Sequence, residues 1–271
     1  MPWWIYVYVV LFGLVIGSFL NVCIHRIPQG QSIVRPRSRC PYCNHLIRAW
    51  ENIPLVSYAL LRGRCSQCHA RISWVYPAVE ALTAGVFYLL FRKYEFGAAF
   101  WLNALFFSLL IALVFIDLFH RILPDVLTKG GTLVGFLLVP LQSPEFFTKP
   151  ATTWIGDMIA ARYLDSLLGI ALGGGLLWVV AKLYFMIKKI EGMGLGDVKM
   201  MMTIGAFLGW RFAWLTIFLG SLVGAFVGIA FIYLSGRDRL YELPFGTFLG
   251  VAAIAATLWG APLIHWYFSL L

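Results

Sequence analysis

The sequence predicts an all-α polytopic membrane protein with about eight transmembrane helices and one long polar loop carrying four cysteines. Three observations predict it. Of 271 residues, 61% are hydrophobic and only 12% charged, with mean hydropathy +0.83, whereas a soluble domain carries about 25% charged residues. Apolar stretches near the ~20 residues that cross a hydrocarbon core recur along the whole chain. Arginine and lysine segregate to alternate loops, as they do across a bilayer.

Eight segments qualify, at 3 to 24, 76 to 91, 98 to 117, 126 to 141, 164 to 187, 198 to 211, 213 to 234 and 246 to 268. The first, WWIYVYVVLFGLVIGSFLNVCI, lacks a basic leading region and a small-residue cleavage site, so it reads as a retained span. With its N-terminus outside, only Arg92, Lys93, Lys149, Arg162 and Arg211 of the 21 cationic residues fall on the outer face. The rest lie in the cytoplasm, which favours that orientation by the positive-inside rule. The formal charge of +9 is matched by anionic membrane lipid and calls for no nucleic acid.

Residues 25 to 75 form the long polar loop, and it contains Cys40, Cys43, Cys65 and Cys68. Two C-x-x-C pairs 21 residues apart supply the ligand number and pairing of a structural four-thiolate Zn2+ site, just beyond the usual separation. The alternatives are two disulfides or free thiols, and a reducing cytoplasmic loop argues against disulfides. His45 and His69 flank the pairs and could replace one thiolate, and Cys23, inside an apolar span, reads as a small core residue.

Two aspartates end up at membrane depth. A charged carboxylate there costs roughly 2.5–3.5 kcal/mol on insertion scales, so its retention points to function. Asp117 closes the apolar run ALFFSLLIALVFID, where no helix cap is required, with His120 and Arg121 one turn on as charge partners. Asp125, after Pro124, is accounted for as the start of the next helix. Asp197 follows the glycine-rich Gly192-Met193-Gly194-Leu195-Gly196, where Gly194 and Gly196 would let an extended peptide approach the backbone. Its alternative reading is an N-cap for the helix that follows.

Paired across the cytoplasmic boundary of the membrane, Asp117 and Asp197 would share one proton and supply general base and general acid for water attack on a peptide carbonyl. No G-x-S-x-G, H-E-x-x-H or P-loop pattern competes with them. The spacings Gly13/Gly17, Gly205/Gly209 and Gly220/Gly224/Gly228 read as helix-packing stripes.

The segments GSFLNVCIHRIP (17 to 28), CPYC (40 to 43), ENIPLVSYALLRGRCSQC (51 to 68), YPAVEALT (76 to 83), IDLFHRILPD (116 to 125) and GLGDVKM (194 to 200) together closely resemble the type IV prepilin peptidases, almost end to end. The resemblance implies an integral aspartic peptidase of the GxGD type, also found in presenilin-like proteases, in the bacterial inner membrane with its active site at the cytoplasmic face. Asp117 and Asp197 would be the catalytic pair. Substrates would be prepilins and pseudopilins of type II secretion and DNA-uptake systems, cut after a glycine that ends a short basic leader. Many members then methylate the new N-terminal residue, with S-adenosylmethionine as donor.

The four-cysteine loop is present, as in bifunctional members and unlike shorter archaeal preflagellin relatives. The implied organisation is a first transmembrane helix (1–24), a cytoplasmic zinc-binding loop associated with methyl transfer (25–75) and a transmembrane aspartic peptidase core (76–271).

Glu80, Asp125, Glu191, Asp238 and Glu242 are candidates for meeting a basic leader, and Glu80 also for binding the new amino terminus. For Glu80 the alternative is a satisfied buried acid paired with a loop arginine. The methyl donor has no recognisable glycine fingerprint in the chain. Residues 142 to 165 read as a lengthened outer loop. Two rival functions remain: a peptidase without methyl transfer, and a non-catalytic transporter or assembly scaffold that uses the aspartates to carry protons.

Overall fold

A computed structural model describes residues 2–147, 154–190, 193–235 and 244–269. Among these described residues, seven longer helices carry the architecture. They are α1 (Trp3–Arg26), α2 (Val75–Tyr94), α3 (Ala98–His120), α4 (Asp125–Leu137), α5 (Ile155–Lys188), α6 (Leu195–Ser235) and α7 (Phe245–Ser269). Six of them, all but α4, are long and apolar enough to cross a membrane. Large hydrophobic side chains lie exposed along them, among them Phe12, Leu172, Phe218 and Phe226. Exposed apolar surface on this scale suits lipid rather than water.

The chain divides into two compact units, Met1–Ala112 and Leu113–Leu271, the boundary falling inside α3. In the first unit α1 packs against α2 where small residues permit it. A Cβ on Gly13 would stand 2.7 Å from the Ala84 Cα, and one on Gly17 would stand 2.6 Å from the Glu80 Cα. The two backbones therefore touch, the contact that a small-xxx-small stripe allows.

In the second unit α5 and α6 meet even more closely. A Cβ on Gly205 would lie 2.1 Å from the Gly169 carbonyl oxygen, and one on Gly169 would lie 2.4 Å from the Gly205 oxygen. Gly169 and Gly173 on α5 complete a stripe whose other half, Gly205/Gly209, the sequence shows. Gly174 and Gly173 then meet Met202 and Met201, so the two helices run antiparallel.

Gly209 interrupts α6 with φ 72° and ψ 178°, a conformation that favours glycine. The chain reverses there. Asp197 and Gly224 would be about 40 Å apart in a straight helix at 1.5 Å per residue, yet Asp197 lies against Gly246 and Gly224 against Phe245 and Phe248. The segments before and after Gly209 therefore form a hairpin flanking α7, as the separate readings of 198 to 211 and 213 to 234 expect.

Two boundaries differ from the hydropathy reading. The segment at 126 to 141 is a 13-residue helix, α4, closed by a 3₁₀ turn at Val139–Leu141. The second half of the expected outer loop is already helical, because α5 starts at Ile155. Asp157, Arg162 and Asp165 lower its hydropathy without breaking the helix. Residues 142–147 fold back onto the hairpin turn: Phe146 and Phe147 are buried, the Phe146 ring stacks edge-on against Phe212, and Arg162 donates to the carbonyls of Pro140 and Gln142.

Candidate active site and cysteine cluster

The C-terminal turn of α3 and the first turns of α6 and α7 converge in the second unit. They bring Asp117 and Asp197 together, 5% and 9% exposed. A Cβ placed on Gly246, the second residue of α7, would stand 3.0 Å from Asp117 Oδ2 and 3.1 Å from Asp197 Oδ1. Two oxygens that close to one point lie no further apart than the sum of those distances. Gly246 has to be glycine, since any side chain would occupy the space between the carboxylates.

The first turn of α7 also satisfies both acids. Gly246 N–H donates to Asp197. Thr247 N–H donates to Asp117 Oδ2 at 2.7 Å, and the Thr247 hydroxyl donates to the same oxygen at 3.0 Å. The first N–H groups of a helix have no partner within it, and its N-terminus favours negative charge. The two aspartates thus terminate α7 while α7 orients them.

Asp197 occupies the first turn of α6 rather than the cap position, which falls on Gly194, and its side chain reaches across to α7. The N-cap alternative therefore gives way to a contact between helices. Gly196 packs so tightly on the turn after α3 that a Cβ would sit 2.9 Å from the Leu123 Cβ, whereas a Cβ on Gly194 would make only ordinary contacts, 3.8 Å to the Gly196 nitrogen and 3.9 Å to Asp197 Oδ2.

An open groove of about 320 Å³, lined by Met193, Ser221, Gly224, Ala225, Phe245 and Phe248, runs beside this constellation. Asp125 is engaged by Lys129 and Lys199 in ion pairs. Glu191, Asp238 and Glu242 lie outside the described residues.

In the first unit the four cysteines form one cluster, with their sulfurs all within 4.8 Å of one another. Both knuckles repeat one backbone pattern. Cys40 N–H bonds the His45 carbonyl as Cys65 N–H bonds that of Ala70, and Asn44 N–H returns to Cys40 as His69 N–H returns to Cys65. Asn44 and His69 both take φ 57°, the left-handed position that turns each knuckle. The Cys40–Cys68 and Cys43–Cys65 sulfur separations are 3.8 and 3.9 Å, and all the cysteines are free thiols.

The N–H groups of Cys68 and Gln67 hold the Cys65 thiol down to about 6. Cys43 accepts the His45 N–H, yet crowding by burial and by Cys68, Cys40 and Cys65 pushes it up to about 12. Four sulfurs this close cannot all ionise without a cation, and a metal would supply that charge.

Glu51 ties the knuckles together, a role not visible in the sequence. Its Oε1 accepts the Ser66 hydroxyl, while Oε2 accepts Arg48 N–H at 2.7 Å and faces His45 Nε2 at 3.3 Å. The Ser66 and Arg48 donors hold its carboxyl below the usual range. His45 is thereby turned toward Glu51. Glu80 joins the loop to α2: its Oε2 accepts Leu55 N–H at 2.9 Å, and the Ser18 hydroxyl also bonds it. Leu55 has φ 58°, the backbone shape that aims its N–H at that carboxylate.

Fold and site together define a polytopic helical membrane protein with a buried aspartate pair and a four-thiolate cluster. The comparisons are specific about its class. Residues 11–94 match the bacterial peptidase A24 N-terminal domain, and residues 104–229 match the type IV leader peptidase family. The chain is 37% identical to an Aeromonas hydrophila protein over 99% of its own length and 96% of the relative's. It is 34% identical to one from Legionella pneumophila, covering 98% and 95%, and 36% identical to one from Pseudomonas aeruginosa, covering 95% and 91%. All three are named prepilin leader peptidase/N-methyltransferase. No solved structure matches the chain. The chain belongs to the type IV leader peptidase family.

Proposed function

We propose that this protein cleaves the basic leader from type IV prepilins and pseudopilins at the cytoplasmic face of the bacterial inner membrane, and then N-methylates the new N-terminal residue. The names of its relatives support both activities. The observation that carries the peptidase reading is the convergence of Asp117 and Asp197 on Gly246.

In this reading the apolar helix of the substrate stays in lipid and its scissile segment lies extended along the groove beside Gly194 and Met193. One aspartate takes a proton from water as it attacks the scissile carbonyl while the other donates its proton to the carbonyl oxygen. When the C–N bond breaks, the first passes the water's proton to the leaving amine and the second recovers its own from the gem-diol hydroxyl. A pair holding one proton between them performs both roles, because two adjacent carboxylates do not both ionise. The Gly246 and Thr247 N–H groups hold the acids in place throughout.

Counting the two arms of α6 separately raises the six long apolar helices to seven, and the 13-residue α4 with the 3₁₀ turn that follows it would make the eighth. The placement of arginine and lysine supports a cytoplasmic site and contact with anionic lipid.

The cysteine cluster fits structural Zn2+. A tetrahedron with Zn–S bonds of about 2.3 Å sets its sulfurs about 3.8 Å apart, close to the observed separations. Cys40, Cys43, Cys65 and Cys68 would hold the ion, which folds a loop too small to bury a core of its own. S-adenosylmethionine would supply the methyl group. Glu80, bonded to the loop through Leu55, is the candidate for engaging the new amino terminus.

The test is detergent-solubilised protein with a prepilin peptide. Asp117→Asn and Asp197→Asn should each lower cleavage by about 10²–10⁴-fold. Wild-type protein that never cuts the peptide would support the scaffold reading instead. Mass spectrometry of the cleaved product with S-adenosylmethionine present tests the second activity, and an unshifted N-terminal mass would leave the peptidase alone.

A further inference from the structure

We infer that Thr247 is a positioning residue for the aspartate pair, holding Asp117 in its reactive orientation through two hydrogen bonds to a single carboxylate oxygen. This deepens the peptidase reading and rests on it. Asp117 Oδ2 accepts the Thr247 N–H at 2.7 Å and the Thr247 hydroxyl at 3.0 Å. The hydroxyl also lies 3.4 Å from the Val114 carbonyl on Asp117's own helix, a longer contact that leaves the carboxylate as its main acceptor. Thr247 therefore links α7 to the last turns of α3 at the acid itself.

The arrangement is asymmetric. Asp197 receives the Gly246 N–H, a main-chain donor that draws on no side chain. Asp117 receives a backbone donor and a side-chain donor, and the second is available only from a hydroxyl residue at position 247. A carboxylate pinned by two donors has one rotamer instead of several, and catalytic groups must be held to within about 0.5 Å of productive geometry. Placement on a rigid helix terminus provides this, since the N–H of a first turn has no competing partner within its own helix.

The experiment measures kcat and KM for prepilin-peptide cleavage by wild type, Thr247→Val and Thr247→Ser, alongside thermal unfolding in the same detergent. Valine keeps the shape and the backbone N–H but removes the hydroxyl. It should lower kcat by about 10- to 100-fold, the worth of a hydrogen bond to a charged group, with KM and the unfolding temperature unchanged. Serine should restore kcat to near the wild-type value.

A Thr247→Val enzyme with wild-type kcat would overturn the inference. So would equal losses in the valine and serine variants accompanied by a lower unfolding temperature, which would make Thr247 a helix-end residue only. Because wild type is assayed in parallel, a failure of the peptidase reading itself would show as no cleavage by any of the three proteins.

Discussion

At the scale of single residues, Gly246 decides how closely the acids approach. A Cβ added there would sit 3.0 and 3.1 Å from oxygens of Asp117 and Asp197 and 3.0 Å from Leu123 Cδ1. The carboxylates would be the atoms to move. Gly246→Ala should therefore fold, yet cleave prepilin peptide about 10²-fold more slowly, the cost of misplacing a catalytic group by about 1 Å. Steady-state kinetics beside a thermal melt checks this. Cleavage at the wild-type rate would mean that the pair tolerates a wider gap than its geometry implies.

At the scale of elements, the cysteine loop is organised by its sulfurs and by Glu51. Cys40→Ser or Cys65→Ser should abolish the metal binding proposed for the cluster and harm methylation before it abolishes cleavage, because the aspartates lie on other elements. Zinc content and the two activities, measured on the same preparation, separate these outcomes. Glu51→Gln should loosen the link between the knuckles. The folded-state pKa of Glu51 is depressed from its ordinary value of 4.5, so its contribution is fully present above that pH and is lost as pH falls through the lower folded value. The gap in unfolding temperature between wild type and Glu51→Gln should be open at neutral pH and close on acidification below about 4.5. A gap that widened instead would contradict the assignment.

At the scale of the whole molecule, glycine contacts set which helices lie side by side. Gly205→Ala would drive a methyl group into the Gly169 carbonyl, 2.1 Å away, and should cost about 1–3 kcal/mol, as overpacking does. Gly209→Ala attacks the reversal of α6, because φ 72° is unfavourable for a residue with a Cβ by roughly 1–2 kcal/mol. Both should lower the unfolding temperature in detergent. Only the second should also disturb the site, since the hairpin brings Asp197 and the Gly224 wall of the groove to the same end of α7.

Much of this is legible from residue order alone. Hydropathy marks the spans, because a lipid-facing helix must be apolar whatever its neighbours are. Cys40, Cys43, Cys65 and Cys68 announce their cluster because each C-x-x-C pair is made within one tight turn. Asp117 and Asp197 stand out because charge at membrane depth is costly. Residue order does not reveal that the first turn of α7 supplies the donors for both acids, or that Glu51 bridges the knuckles. Each of these depends on segments far apart in the chain. The bond from Thr247 to Asp117 spans 130 residues, and only packing of the helices brings its two ends within reach.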